Sequence, residues 1–323
     1  MALDVSRFLL DLYALAPGTP HPSFVDAALT LLARSVPFDS GLWGTFTRTP
    51  DGPRPHWGHL YRLSGQMLAD YERVKQHDLV NQKLIAHPGR TVAVALRQAE
   101  RKAHPDIVAH ARRWRMEQTL ATVLLESPLN LYTVISLYRA DPERPYAERE
   151  RRFKQAIMPH LVAAWHTNAL QFLDAPRDAR GAAPRARALV DSFGVIHNAE
   201  PGLVELFRLE EPGWEGPTVP RSLAGIVEGD RRDLAGRAVV VTRLRRLEDG
   251  TLVLSLRRRG RVDSLSARER TVAREFASGK THTEIAGALG TSPTTVRSQL
   301  QAIYTKLGVC TKVELARHLE DAA

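Results

Sequence analysis

"GTSPTTVRSQLQAIYTKLG", Gly290 to Gly308, decides how the C-terminal part of the chain folds. Ser292 before Pro293 reads as a helix start: a hydroxyl can satisfy a free backbone N–H, and proline fits the first helical position. Val296, Leu300, Ile303 and Leu307 recur at three- and four-residue spacing and form one apolar stripe. Gly308 then reads as the stop. The opposite face carries Thr294, Thr295, Arg297, Ser298 and Gln301, a polar set that packing alone does not require.

Working outward, three stretches have the form [S/T]-x-x-E: Ser266 with Glu269, Thr281 with Glu284, and Thr311 with Glu314. In each, hydroxyl and carboxylate can cap a helix start reciprocally. Gly279 and Gly290 mark further stops, so helices are predicted at 267–278, 282–289, 293–307 and 312–319. Val272, Phe276, Ile285, Ala286, Leu289, Leu315 and Leu319 complete a small core with the stripe. The short "GTS" turn sets the second and third helices steeply, as in a helix-turn-helix. The outward face of the third helix then suits a major groove, where Arg297 can bond guanine, Gln301 adenine, and Thr294, Thr295 and Ser298 bases or phosphates. Lys280, Thr281 and Lys306 are candidate phosphate contacts.

The string "LSARERTVAREFASGKTHTEIAGALGTSPTTVRSQLQAIYTKLGVCTKVELARHL", Leu265 to Leu319, resembles the DNA-binding domain of LuxR-type (FixJ/NarL-like) transcription regulators. The residues carrying the resemblance are Arg268-Glu269, Gly279, Glu284-Ile285-Ala286, Thr295-Val296-Arg297, Ile303-Tyr304 and Lys306-Leu307-Gly308, within about a sixth of the chain. Gln299 departs from the family, whose members often have histidine there. The resemblance implies sequence-specific binding of double-stranded DNA. It also implies a dimer contact through the fourth helix, Thr311 to Leu319.

The rest of the chain is read from periodicity. Residues 1–173 mix helical stretches with the strand-like "GLWGTFTRT", "RPHWGHLYRLS", "RTVAVAL", "LATVLLES" and "LYTVISLYRA", with a helix expected around Leu68 to Ile85 and a long closing helix, Glu148 to Leu173. This α+β order resembles GAF-type sensor domains. Residues 174–186 have the Pro, Gly, Ala and charge of a linker. Residues 187–260 read as strand, turn, strand, helix and a long hairpin around "EDG", a layout similar to a PAS-type domain. The fold class expected is thus α+β multidomain: GAF-like 1–173, PAS-like 187–260, and an all-α four-helix unit at 261–323.

The 323 residues carry 45 Lys+Arg against 36 Asp+Glu, a net charge of +9, which favours polyanionic partners. Residues 261–323 hold nine of those cations and seven anions, so Arg257, Arg258 and Arg259 are candidates for added basic help. The single cysteine, Cys310, cannot form an intrachain disulfide and reads as a small packing residue in a reducing compartment. No apolar run reaches the ~18 residues of a membrane span. A cytoplasmic location is expected.

The front segment shows no receiver-type acid cluster, no HExxH, no GxSxG and no phosphate-cradling loop. Catalysis, a cofactor and a metal are therefore not expected, and His56, His59, His77, His87, His104 and His110 read as isolated surface histidines. "YERVKQHDLV", Tyr71 to Val80, resembles a run in the acyl-homoserine-lactone sensors of the LuxR group, with Leu79 in place of a proline. Trp43, Trp57, Tyr61 and Tyr71 are candidate lining of an effector pocket, with simple core as the competing reading. The partners expected are DNA, a second copy of the chain, a small-molecule effector and RNA polymerase. Two other readings stay open: a ligand-binding signalling protein with a vestigial tail, and a non-DNA adaptor.

Overall fold

The computed structural model describes residues 3–49, 52–127, 129–172, 185–247 and 250–322. The architecture is α+β, with two antiparallel sheets and a C-terminal helical group. Met1–Asp174, Val195–Asn198 and Glu215–Thr218 form one compact unit; Ala175–Gly194, Ala199–Trp214 and Val219–Ala323 form a second. Most of the linker proposed for 174–186, and the "PD" and "ED" of two proposed hairpin turns, lie outside the described residues.

The first unit runs α1 Val5–Gly18, α2 His21–Ser35, β1 Ser40–Thr49, β2 Gly52–Tyr61, α3 Gln66–Glu72, α4 Leu79–Ala86, β3 Thr91–Ala95, α5 Leu96–Ala99, α6 Pro105–Arg113, β4 Gln118–Glu126, β5 Leu131–Arg139 and α7 Glu148–Phe172. Its sheet has the order β2-β1-β5-β4-β3. Side chains alternate across a strand, so each face collects its own set. Trp43, Tyr61, Leu120, Ile135 and Leu137 pack with buried residues of α1, α2 and α7, such as Phe8, Leu29 and Trp165. Phe46, Ala121, Val123 and Tyr132 pack on the other face with Leu84 of α4, and Met67, Met116 and Tyr138 form a neighbouring cluster.

One lysine is buried in this unit. Lys154 of α7 has no exposed surface, and its Nζ donates to Thr122 Oγ1 at 2.6 Å and to the Ile135 carbonyl at 2.9 Å. Burial holds its ammonium well below the usual lysine range.

The helix expected around Leu68 to Ile85 is two helices. α3 ends at Glu72, a 3-10 turn covers Lys75–His77, and Asp78 starts α4 by accepting from the N–H groups of Val80 and Asn81. The carboxylate offers the backbone a cap in place of a continued helix.

The chain continues through β6 Arg185–Val190, β7 Ile196–Ala199, α8 Leu203–Glu210, α9 Gly225–Glu228, β8 Asp233–Ala235, β9 Val239–Arg246 and β10 Leu252–Arg258. The sheet order is β7-β6-β10-β9-β8, so both sheets have their strands in the same order: second, first, fifth, fourth, third. Strand β8 and helix α9 have no counterpart in the sequence reading. At three and four residues they have too little periodicity to show. Glu210, at the end of α8, is 5% exposed and receives the N–H groups of Arg237, Ala238 and Val239 and the Ser222 hydroxyl.

Four helices close the chain: α10 Ala267–Ala277, α11 His282–Leu289, α12 Pro293–Leu307 and α13 Lys312–Ala322. Cys310 is exposed, between α12 and α13, so it is not the packing residue the sequence suggested. The adjacent Val309, 5% exposed, takes the packing position at that turn.

Candidate nucleic-acid interface

The helical group is built from local signals. Ser266–Glu269 and Thr281–Glu284 are reciprocal capping boxes at the starts of α10 and α11. Thr311 Oγ1 accepts from Glu314 N, while Glu314 Oε2 accepts from the N–H groups of Cys310 and Thr311. Gly290 takes a left-handed φ of 61°, which ends α11 where a side chain would be strained. Two residues later Ser292 accepts from Thr295 N at 3.1 Å and opens α12.

Val296, Leu300, Ile303 and Leu307 are buried with Val262, Leu265, Val272, Ile285 and Leu315. That stripe fixes the rotation of α12. Its other face is therefore exposed, and Thr294, Thr295, Arg297, Ser298 and Gln301 all lie on it. Lys280, Thr281 and Lys306 are exposed as well. The Arg297 side chain makes no hydrogen bond or ion pair among the described residues. A guanidinium held at the surface without a partner presents its full fork of donors to a base edge or phosphate.

The other candidates are partly engaged. Ser298 Oγ donates back to the Thr294 carbonyl, and Thr295 Oγ1 bonds Ser292 Oγ. Lys306 Nζ donates to Glu269 Oε1 at 2.6 Å, and this ion pair holds the Glu269 carboxyl below the usual range. Lys280 pairs with Glu275. Thr281 donates to Glu284 as well as capping α11. Gln299, the departure from the family pattern, is half-buried with its Oε1 sealed and unpartnered, so it points away from the open face.

The upstream joint is ordered by charge. Arg257 of β10 grips Asp263 with two hydrogen bonds of 2.7 Å. Burial pushes the Asp263 carboxyl up, but Arg257 and the Gly260 N–H outweigh it and hold the carboxyl below its ordinary value. Arg261 Nη1 reaches the Leu307 carbonyl at 3.0 Å, at the end of α12. Arg257 is thus a structural partner, while Arg258 and Arg259 stay exposed.

In the first unit the four aromatic candidates are not brought together. Trp43 packs edge-on to Trp165 and Trp57 stacks on the same ring with centroids 5.0 Å apart. Tyr61 packs against Phe38 and bonds Thr30. These three belong to the core under α1, α2 and α7. Tyr71 belongs to the opposite face, with Met67, Met116, Tyr138 and Trp114.

Two residues there were missed by sequence reasoning. Asp70, next to Tyr71, is 9% exposed; Gln66 donates to its Oδ1, while its Oδ2 has no hydrogen-bond partner and lies 3.4 Å from Arg113. The Gln66 bond and the nearby Arg113 outweigh desolvation and hold its carboxyl below the usual range. His110 is buried, tilted against Tyr71, and desolvation depresses its pKa. The signal that could have found Asp70 was its place one residue before the quoted stretch. The isolated-histidine reading also fails elsewhere: His59 bonds Asp26, and His77 stacks on His104.

Comparison with known proteins bears on the helical group. Residues 263–319 match the family of bacterial regulatory proteins, luxR family. The transcriptional regulatory protein UhpA of Escherichia coli (strain K12) is 48% identical over 62 residues, 19% of this chain and 32% of UhpA. The chain thus matches about a third of the length of that relative. Among solved structures, SdiA of Escherichia coli aligns over 98% of each chain at 13% identity and a TM-score of 0.42. CepR2 of Burkholderia cenocepacia, an N-acylhomoserine lactone dependent LuxR family transcription factor, aligns over 53% of this chain and 99% of its own at 15% identity and a TM-score of 0.40. The family assignment rests on residues 263–319.

Proposed function

Given a C-terminal domain of the luxR family of bacterial regulatory proteins, we propose that this chain is a sequence-specific transcription regulator that acts as a dimer on two DNA half-sites. The observation that carries the reading is the open face of α12. Five polar side chains stand outward on a helix whose rotation is fixed by a four-residue buried stripe. An α-helix of this kind fits the major groove, and the free N–H groups at its start favour phosphate.

Arg297 and Gln301 read base edges; Thr294, Thr295 and Ser298 bond bases or phosphates; Lys280, Thr281 and Lys306 set register on the backbone. The dimer contact falls on α13, and RNA polymerase is the partner that converts binding into transcription. The chain has no catalytic role, and it acts in the cytoplasm; no helix among the described residues is long and apolar enough to cross a membrane.

The front unit is the sensor, a GAF-like domain over 1–173, followed by a PAS-like domain over 187–260. The site favoured for a small-molecule effector is the Asp70–Tyr71–His110 group, where a buried carboxylate and a buried imidazole flank the Tyr71 ring. Effector binding would then shift the population of dimers whose reading helices have the half-site spacing.

Selection of bound fragments from genomic DNA, followed by a salt titration on the winning site, tests the reading. Binding should weaken linearly on a log–log salt plot. Arg297→Ala should lose about 1–3 kcal/mol on the selected site and relax its base preference. Lys306→Ala should weaken all sequences alike and lower the salt slope by about one. If both variants bind the selected site as the parent does, α12 is not the reading helix.

A further inference from the structure

The structure assigns a second site, separate from the DNA face. We propose that His77, His104 and Asp106 bind a divalent transition-metal ion of the zinc class. His77 ends the 3-10 turn before α4, and His104 is the residue that caps α6. The two come from segments 27 positions apart in the sequence, yet their rings lie face to face, centroids 3.6 Å apart and 4° from parallel. Asp106, in the first turn of α6, places Oδ2 3.5 Å from His104 Nδ1. One candidate donor atom from each of the three residues lies within 4.8 Å of the others.

The donor set chooses the metal. Two imidazoles and one carboxylate suit zinc, cobalt(II), nickel or copper(II), whereas magnesium and calcium prefer all-oxygen sites. Three protein ligands leave a position for water. The three donor atoms already lie close together, but the rings must turn before they can converge. Nitrogen lone pairs lie in the ring planes, so stacked rings must swing apart in orientation before both can point at one ion. Rotation about the outer side-chain torsion of histidine is soft. His104 and Asp106 are exposed, so the stack with His77 is the main contact that this swing has to break. The donors would close to about 3.3 Å from one another around a tetrahedral ion with bonds of about 2.0–2.1 Å. His104 Nδ1 now accepts the Asp106 N–H at 3.3 Å, a long bond that a metal–nitrogen bond would outweigh.

The position gives the ion a consequence. Asp78, the residue after His77, caps α4 and receives the Tyr71 hydroxyl, while His110 lies six residues along from His104, in α6. An ion held between His77 and His104 therefore staples together the two segments that enclose the Asp70–Tyr71 group. Metal occupancy would stiffen that enclosure without touching DNA-binding residues.

The test uses the full chain carrying Cys310→Ser, which removes the exposed thiol as a competing ligand. Zinc(II) is titrated calorimetrically, and cobalt(II) is followed by its visible spectrum. The expected result is one tight equivalent and a rise in melting temperature on adding zinc. His104→Ala and, independently, His77→Gln should each weaken binding roughly tenfold or more and remove the thermal shift. Asp106→Asn should weaken it less. His87→Ala, an exposed histidine elsewhere in the same unit, should leave it unchanged. Equal zinc affinity in His104→Ala, His77→Gln and the parent, or no binding in the parent, would show ring stacking alone and overturn the proposal.

Discussion

Replacing Lys154 with methionine is expected to stabilise the first unit by about 1–4 kcal/mol at neutral pH, the range seen when buried ionic groups give way to apolar ones of similar volume. Most lysine substitutions on a protein surface are near neutral. Lys154 differs because its amine is fully buried and faces a hydroxyl and a carbonyl, with no carboxylate bonded to it. Two hydrogen bonds cannot replace the hydration of an ammonium. The folded state therefore favours the neutral amine, while the unfolded chain holds the extra proton up to about pH 10. The sign follows. Between the lowered folded value and about pH 10 the unfolded state binds more protons, so stability rises with pH there, by up to about 1.4 kcal/mol per unit. Methionine removes both the penalty and the slope. Thr122 keeps a partner in Thr91, 2.7 Å away, so the substitution strands little. Hydrogen exchange of the β4 and β5 amides, followed from pH 6 to 9, measures this locally. A methionine variant that exchanges faster than the parent at pH 7 would mean the lysine is a net stabiliser.

Glu210→Ala should cost the second unit about 2–3 kcal/mol, because three backbone donors lose their shared acceptor at once; a buried orphan such as Val239 N–H costs about 1–3 kcal/mol, and the part-buried Arg237 and Ala238 donors add less. Desolvation works to raise the Glu210 pKa, but the bonds from Ala238, Arg237, Ser222 and Val239 together hold it below the ordinary value. Such a group adds stability above the unfolded glutamate pKa, about 4.3, and loses it as pH falls through the lower folded value. The parent should thus show an acid-side loss that the alanine variant lacks. Gly236 is part of the same cradle: a Cβ there would stand 2.5 Å from the carboxylate, so Gly236→Ala should reproduce the damage in part. Exchange rates in β9 near Val239 report both. An alanine variant within about 0.5 kcal/mol of the parent, the range of an ordinary surface change, would refute the role given to Glu210.

The C-terminal helices were legible because their signals are local. A cap, a stop and an apolar stripe each act within one turn of helix. Accordingly α11 at His282–Leu289 and α12 at Pro293–Leu307 fall where the spacing predicts. The order of strands in the front part was legible for the same reason. What distant segments build was not. Periodicity places Trp57 on a strand but cannot say that Trp165, more than a hundred residues on, covers it. His77 and His104 meet only because two helical segments pack side by side, and their sequence spacing holds no trace of it. Asp70 was hidden differently. A carboxylate in a charged, helical stretch looks like any solvated one until its burial is seen.

The grip of Arg257 on Asp263 also limits how the molecule can be taken apart. The Asp263 side chain is 4% exposed, and its balancing cation sits on the last strand of the preceding sheet. An excised DNA-reading piece beginning at the family match would keep the acid and discard the base. Its first residue would then be an acid without its paired guanidinium, and Arg261, which clasps the end of α12, would be cut away with it. Dissection therefore has to start at or before the strand that supplies Arg257. By the same logic, exchange of sensors between such proteins has to carry that arginine across the splice.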